Sequence, residues 1–297
     1  MEDDFVTVTD PEGFTLRLTE LDGVYASPFP GIKERVKKLK TFKCRDDDIL
    51  ILAFAKSGTH WTWEIAHMLS RNTTEHIVGE KSEQFLEAQD AQDLEAHKSP
   101  RILNTHLRPE RIPDDFIRRK CKIIYIQRNP KDVFVSLYNH CKNLEQYYRY
   151  SGNFSGFFEL ALEGKVESGN WFEYAKLCEK FLKAHPDVPV LRLHYEDMKM
   201  NLLEHVKKIA EFCNFSVSAK TMAGIAEACT FSNMRKFKVD TVNPDRQSRW
   251  KDGRYNMYRK GVSGDWKNWF TVAQNERFEA ESRKQLEGSD VCVKWAN

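Results

Sequence analysis

The feature that most constrains the fold is an uninterrupted apolar run at residues 49–55, ILILAFA, followed at once by a polar turn. A run with β-branched residues and no polar alternation is typical of a strand buried on both faces, as in the centre of a parallel sheet. Seven residues are far too few to span a bilayer. Residues 60–71 then follow a helical pattern, so strand, turn and helix come in the order expected of an α/β domain.

The same alternation recurs along the chain. Further strands are predicted at 101–105, 122–127 and 188–193, and helices at 131–141, 170–184 and 202–213. This order predicts an α/β fold in which a central, mainly parallel sheet is flanked by helices. Since 297 residues contain no repeat or linker, we expect one domain over 1–297. We expect an irregular, partly helical lead-in at 1–48 and a long, functional or disordered loop at 240–265.

Composition and charge narrow the classes of function. The 46 basic and 44 acidic residues leave a net charge of +2, which argues against a nucleic-acid partner bound by charge alone. The start of the chain, MEDDFVTVTDPEG, has no basic or apolar stretch of a signal peptide, so we expect a cytoplasmic protein with no membrane partner. Seven scattered cysteines without a CxxC pair indicate reduced thiols, and no metal is expected.

The turn after the first buried strand has the composition of a phosphate cradle. Gly58 permits a tight backbone, Lys56 adds a positive charge, and Ser57 and Thr59 add hydroxyl donors at the start of a helix. The lysine precedes the glycine, so the turn resembles a P-loop without matching GxxxxGK[ST]. The alternative is an ordinary strand-to-helix turn that happens to contain these residues.

Two other segments indicate a second anion site. Arg128 directly follows the predicted strand 122–127, at the end where open α/β sheets bind ligands, and Ser136 lies eight residues on. Far downstream, Arg259-Lys260-Gly261 offers two cations and a flexible backbone. Taken singly, Arg128 is equally typical of a residue in a surface ion pair. Arg259-Lys260, taken singly, is typical of a solvated charged loop. Together with the first turn, they indicate a ligand with two separated phosphates.

Six segments carry a resemblance to the cytosolic sulfotransferases. They are AKSGTHW (55–61), RILNTHL (101–107), IYIQRNPKDVFVSLYNH (124–140), LHYEDMKMN (193–201), TFSNMRK (230–236) and RKGVSGDWKNWFT (259–271). All six lie in the family's order and span most of the chain. The resemblance implies transfer of a sulfuryl group from 3'-phosphoadenosine 5'-phosphosulfate (PAPS) to the hydroxyl of a small, largely apolar acceptor, with adenosine 3',5'-bisphosphate (PAP) as product.

The resemblance also implies a role for each matching residue. His106 would be the general base and Lys56 would stabilise the leaving oxygen. The nucleotide would be held by Lys56, Ser57, Gly58, Thr59, His60, Trp61, Arg128, Ser136, Tyr195, Thr230, Phe231, Met234, Arg259, Lys260 and Gly261. The acceptor would contact Phe85, Asn104, Tyr25 and Tyr147. A family dimer motif, KxxxTVxxxE, is matched by Lys267, Thr271, Val272 and Glu276, so the resemblance implies a homodimer.

Two positions depart from the family pattern. The family usually carries lysine two residues before the histidine, where this chain has Asn104. Asparagine brings no charge, so either turnover is lower, another cation serves, or the acceptor is unusual. The residue before Thr230 is commonly Ser or Thr and is here Cys229, which puts one adenine contact in doubt.

Two other functions stay open from the sequence. A small-molecule kinase would need a full GxxxxGK[ST] turn and a metal-holding acid after a strand, and no convincing pair is found. A family member with weak or altered activity, either sequestering the acceptor or acting as a dehydratase, is kept open by Asn104. The retained Lys56, His106 and Ser136 favour sulfuryl transfer.

Overall fold

A four-stranded parallel sheet lies at the centre of the computed structural model, which describes residues 5–295. The strands in the chain are β1 (Phe5–Thr9), β2 (Thr15–Leu21), β3 (Val24–Ala26), β4 (Ile49–Leu52), β5 (Ile102–Thr105), β6 (Lys122–Gln127) and β7 (Val190–His194). The central sheet has the order β5-β4-β6-β7. Ile49 of β4 pairs with Ile102 on one side and Lys122 on the other. Every residue of β4 is buried, as expected of a central strand.

Helices surround this sheet. They are α1 (Ile32–Lys38), α2 (Thr59–Ser70), α3 (Ala91–Ala96), α4 (Asp114–Arg118), α5 (Pro130–Asn143), α6 (Glu145–Tyr148), α7 (Phe154–Leu162), α8 (Trp171–Ala184), α9 (Tyr195–Met200), α10 (Leu202–Cys213), α11 (Ala219–Ala228), α12 (Phe231–Asp240), α13 (Pro244–Gln247) and α14 (Val272–Leu286). Short 3₁₀ helices lie at Leu39–Thr41, Lys81–Gln84, Pro109–Arg111, Lys251–Gly253 and Asp265–Asn268. Within the described chain, no helix is long and apolar enough to cross a membrane.

The two faces of the sheet build two separate cores. Because side chains alternate along a strand, Leu50 and Leu52 face one core while Ile49 and Ile51 face the other. The first core is closed by α5, α7, α8 and α14, and the second by α2, α10 and α11. The predicted α/β fold with a parallel sheet flanked by helices is therefore confirmed. Its extension over 1–297 as one domain stays a prediction, since residues 1–4 and 296–297 lie outside the described residues.

The prediction for the first 48 residues was partly wrong. Strands β1, β2 and β3 form a three-stranded antiparallel sheet, and only α1 and the turn after it are helical. Asp22 and Gly23 join β2 to β3 with φ of 49° and 80°, which suits a two-residue hairpin turn. Polar and apolar residues alternate along β1 and β2, and β3 has only three residues, so no continuous apolar run marks these strands in the sequence.

Element boundaries otherwise fall close to the predicted ones. The apolar run leaves the sheet after Leu52, and its last three residues lead into the polar turn. Helix α5 starts at Pro130 because Asn129 caps it by accepting a hydrogen bond from the Lys131 N–H. The predicted loop at 240–265 contains α13 and the 3₁₀ helix Lys251–Gly253, and its later residues approach the carboxyl ends of the central strands.

Candidate active site

A cavity of about 250 Å³ opens at the carboxyl ends of β4 and β6. This is the edge at which open α/β sheets bind ligands. The predicted site residues that line it are Lys56, Gly58, Thr59, His60, Trp61, Phe85, His106, Arg128, Ser136, Tyr147, Tyr195, Phe231, Met234, Arg259, Lys260 and Gly261. Positions more than 200 residues apart in the sequence, such as Lys56 and Arg259, thus share one cavity wall.

Several predicted residues lie elsewhere. Ser57 lies within the turn, but its side chain is buried. Thr230 precedes α12, and its hydroxyl donates to the Glu227 carbonyl oxygen at 3.0 Å. Asn104 is fully buried behind the cavity wall, and Tyr25 lines a second, smaller cavity that shares His106 with the first. The residues of the dimer motif lie on the surface. Lys267, Thr271, Val272 and Glu276 are all exposed, and Thr271 caps α14 by accepting a hydrogen bond from the Gln274 N–H.

The turn between β4 and α2 presents backbone donors to the cavity. Lys56 and Gly58 have φ of 68° and 110°, and this geometry turns the chain sharply into the helix. A Cβ atom on Gly58 would lie 3.0 Å from Tyr195 Cδ2, so a larger residue would crowd the wall. Within residues 5–295, the N–H groups of Gly58, Thr59 and His60 find no acceptor. Three free donors at a helix N-terminus fit an anionic group such as a phosphate.

Lys56 adds a charge at the mouth of this turn. Its Nζ lies 3.2 Å from Met257 Sδ, a weak acceptor. Burial lowers the pKa of Lys56 to about 8, an effect that the nearby Glu167 carboxylate partly opposes. The ammonium is therefore charged at neutral pH and is paired only weakly, which leaves it able to bind an anion.

Arg128 connects the end of β6 to the same turn. Its guanidinium donates to the carbonyl oxygens of Lys56 at 3.1 Å and Val262 at 3.4 Å. It stacks 4.3 Å from the centre of the Tyr195 ring. The Nε atom is buried and has no partner within the described chain. Three contacts thus fix Arg128, and its Nε–H donor has no acceptor within the described chain, as expected of a residue that binds an anion.

Arg259 and Lys260 are held in the cavity wall by a residue that the sequence did not single out. Asp265 accepts from Arg259 at 2.6 Å and from Lys260 at 2.8 Å. Burial alone would raise the pKa of Asp265, but hydrogen bonds from these two cations hold it below its usual range. Asp132 fixes this loop by accepting from the N–H groups of Gly264 at 2.7 Å and Trp266 at 3.0 Å.

Aromatic rings form another side of the same cavity. Trp61 and Tyr195 meet edge to face with centroids 5.4 Å apart, and Trp61 Nε1 donates to the Cys229 carbonyl oxygen at 2.7 Å. Phe231 packs directly on Gly261, whose φ is 63°. A ring base fits such a surface, since aromatic faces stack on planar groups.

His106 presents an unprotonated ring nitrogen to the cavity, where Lys81 Nζ lies 3.3 Å from it. Its Nδ1 donates to the Ala53 carbonyl oxygen at 2.8 Å, so Nε2 carries the lone pair. Its backbone N–H donates to Glu87 at 2.7 Å, which fixes the end of β5. Burial, and then the charge of Lys81, lower the pKa of His106 well below its usual value. A neutral imidazole in this orientation can accept a proton at neutral pH.

Apolar and aromatic side chains form the rest of the wall near His106. The Phe29 ring lies 5.0 Å from that of Tyr147 and 6.5 Å from that of Phe85, and Phe85 lies 5.1 Å from the His106 ring. Trp250 also lines the cavity. This composition fits a small apolar molecule next to Nε2.

Sequence reasoning missed several charged residues of the cavity. Lys81 Nζ lies 3.3 Å from His106 Nε2, and Arg246 lines the cavity wall. Glu167 accepts from the Ser27 hydroxyl at 2.6 Å and from the Tyr148 hydroxyl. These residues come from stretches without an apolar run or a phosphate-turn pattern, so no local signal marks them. Within residues 5–295 no cluster of histidine, cysteine or acidic side chains could hold a metal ion.

A model of the sulfotransferase domain matches residues 46–290, most of the chain. The chain belongs to the sulfotransferase family. Human sulfotransferase 1C2 is 29% identical over 96% of this chain and 98% of its own length. Mouse sulfotransferase 1A1 is 34% identical over 88% of this chain and 92% of its own length.

Solved structures agree with this assignment. Mouse sulfotransferase SULT7A1 complexed with PAP is 31% identical and superposes with a TM-score of 0.76, covering 92% of this chain and 96% of its own. Retinol dehydratase in a complex with retinol and PAP shares the fold at 19% identity, with a TM-score of 0.76 over 98% of this chain and 92% of its own. The sulfotransferase fold, with its cavity at the strand ends, is therefore the architecture of this chain.

Proposed function

We propose that this sulfotransferase moves a sulfuryl group from PAPS to the hydroxyl of a small, largely apolar acceptor. One observation carries the proposal. The lone pair of His106 Nε2 and the cationic turn that starts with Lys56 face the same cavity, next to an apolar wall. A base for the acceptor and an anion site for the donor are thereby brought together.

The cavity fits a nucleotide with two separated phosphates. The free N–H groups at the start of α2 and the Lys56 ammonium suit one phosphate, while Arg128, Ser136, Arg259 and Lys260 suit the other. The rings of Trp61 and Tyr195 line the same cavity and suit a base. The family assignment and the PAP complex of the mouse relative support PAPS as the donor.

The proposed reaction is a single displacement at sulfur. PAPS supplies the sulfuryl group on a phosphate leaving group. His106 accepts the hydroxyl proton as the acceptor oxygen bonds to sulfur and the bond from sulfur to the bridging phosphate oxygen breaks. Lys56 and the N–H groups of the turn stabilise the negative charge that remains on that oxygen. The products are a sulfate ester, PAP and a proton, which His106 returns to solvent.

The predicted partners and location are part of this proposal. The exposed Lys267, Thr271, Val272 and Glu276 support a homodimer contact, and Val272 is 76% exposed at the start of α14. The cytoplasmic location stays a prediction.

The test uses radiolabelled PAPS and a panel of simple phenols, catecholamines, sterols and alkanols. We expect label in at least one acceptor and PAP as the other product. Displacement of PAP from the protein by ATP at similar concentrations would favour a kinase. Tight binding of PAP with no labelled product from any acceptor would contradict the transfer function and favour a protein that sequesters its acceptor.

A further inference from the structure

Lys81 is a lysine buried in the wall of the active-site cavity. Its side chain is only 4% exposed, and it comes from the 3₁₀ helix Lys81–Gln84 rather than from a strand end. Its Nζ donates to Asn104 Oδ1 at 2.7 Å and lies 3.3 Å from His106 Nε2. Both partners are uncharged groups, so within residues 5–295 the buried positive charge is opposed only by the more distant carboxylates of Glu87 and Glu167, to which it makes no hydrogen bond. Burial of a cation is costly unless the charge is used or paired.

The whole Asn104 amide serves to hold this lysine. Besides accepting from Nζ, it donates from Nδ2 to the carbonyl oxygens of Lys81 at 3.0 Å and Gln84 at 2.8 Å. The Phe85 ring, 4.2 Å from Nζ, supports the ammonium from another side. The position of Nζ is therefore fixed by the turn, the amide and the ring together. A lysine at position 104 could not accept the hydrogen bond from Lys81 Nζ, because an ammonium has no acceptor atom.

We propose that Lys81 supplies the positive charge at the reacting centre of this sulfotransferase and that Asn104 is its positioning residue. The Nζ atom of Lys81 lies 2.7 Å from Asn104 Oδ1, so a segment 23 residues upstream brings a positive charge beside position 104, which has none of its own. Lys56 lies at the anion-binding turn, so the two lysines place cations on both the leaving side and the His106 side of the cavity. This inference rests on the proposed sulfuryl transfer, during which Lys81 stabilises charge on the sulfuryl oxygens.

The decisive variants are Lys81→Met and the double variant Lys81→Met/Asn104→Lys. We expect Lys81→Met to lower kcat by about 100-fold, the effect typical of one lost charge-stabilising donor. The Kd for PAP should stay within threefold, since Lys81 is not part of the proposed phosphate sites. In the double variant we expect kcat to recover by about tenfold or more, because a lysine then returns to the reacting centre.

A second buried lysine provides the matched control. Lys238 is 5% exposed and binds the Ile77 carbonyl oxygen at 2.7 Å and Glu64 at 2.9 Å, away from the cavity lining. We expect Lys238→Met to lower the unfolding temperature while kcat stays within about twofold, because it removes a buried ion pair and no cavity charge.

Three outcomes would overturn the inference. In the first, Lys81→Met keeps kcat within threefold of wild type. In the second, its loss of kcat is matched by an equal loss of PAP affinity, which indicates a structural role. In the third, the double variant binds PAP normally without recovering kcat. If the wild-type protein transfers no label at all, the proposed function itself fails, which the panel assay distinguishes from failure of this inference.

Discussion

The Nη1 atom of Arg128 donates a hydrogen bond to the carbonyl oxygen of Lys56 across 3.1 Å. This contact joins the end of β6 to the turn that follows β4, and Lys56 is held there with a left-handed φ of 68°. The two regions proposed to bind separate phosphates are therefore one connected unit. Loss of Arg128 would remove a cation and also the hydrogen bond that holds the Lys56 turn in place.

The first prediction concerns Arg128 itself. We expect Arg128→Ala to raise the Kd for PAP by about 10- to 100-fold, since a charged hydrogen bond contributes about 1.5–3 kcal/mol. Isothermal titration calorimetry measures this directly. Arg192 on the neighbouring β7 binds Glu179 at 3.0 Å and serves as the control, because its removal should leave PAP affinity unchanged. Equal Kd values for the two variants would remove Arg128 from the nucleotide site.

The second prediction compares two glycines with nearly the same φ. Gly261 and Gly253 have φ of 63° and 61°, in the left-handed region where alanine is strained. A Cβ atom on Gly261 would lie 2.0 Å from Phe231 Cδ2, whereas nothing lies within 4 Å of one on Gly253. We expect Gly261→Ala to weaken PAP binding at least tenfold by displacing Phe231, while Gly253→Ala keeps the wild-type affinity. Identical affinities would show that the Phe231 ring does not contact the base.

The third prediction concerns pH. Burial lowers the pKa of Lys81 to about 7 and that of Lys56 to about 8. A lysine is charged below its pKa, so kcat/KM for PAPS should fall between about pH 7 and 8, as first Lys81 and then Lys56 loses its proton. Since the pKa of His106 lies well below its usual value, no rise in rate is expected between pH 6 and 7.

The matched variant for this profile is Lys56→Arg. A guanidinium stays charged to far higher pH, so the alkaline fall should move upward or become shallower, even if the maximal rate is lower. An alkaline limb that is identical in the two proteins would show that Lys56 does not control it.

The fourth prediction concerns stability. Arg101 and Asp48 form an ion pair in which both side chains are almost fully buried, with Nε 2.8 Å from Oδ1. Arg101→Met leaves the Asp48 carboxylate buried without its partner, and we expect a loss of about 3–5 kcal/mol in the free energy of unfolding. Urea denaturation measures the loss. Lys208→Met, which removes half of an exposed pair with Glu204, should cost less than about 1 kcal/mol. Similar losses of unfolding free energy in both variants would show that burial does not make the Arg101–Asp48 pair more important than an exposed pair.

The sequence was most informative where an element has a local signature. The apolar run at 49–55 predicted the central strand, and the Lys56–Gly58 turn with Arg128 predicted which strand ends would face the cavity. These features depend on neighbouring residues along the chain, so they can be seen without the structure. Strands β1 to β3 were missed because they have a different local signature: β1 and β2 alternate polar and apolar residues, and Asp22-Gly23 marks the hairpin to β3, whereas the prediction followed continuous apolar runs.

The charged groups that complete the cavity could not be predicted in the same way. Lys81 reaches His106 from 25 residues away, and Glu167 meets Ser27 across 140 residues. Such contacts are decided by tertiary packing, which no local pattern encodes. Asp265 is closer to its partners, Arg259 and Lys260, but its role as their anchor depends on how the loop folds back.

Single-turnover transfer from enzyme-bound PAPS, compared between wild type and His106→Ala, tests whether His106 is the base of the reaction. The acceptor is the best one found in the panel, and PAP affinity is measured in parallel to show that the nucleotide site is intact. We expect His106→Ala to bind PAP as wild type does and to form the sulfate ester at least about 100-fold more slowly, because the hydroxyl keeps its proton. Wild-type rates in His106→Ala would show instead that some other group activates the acceptor.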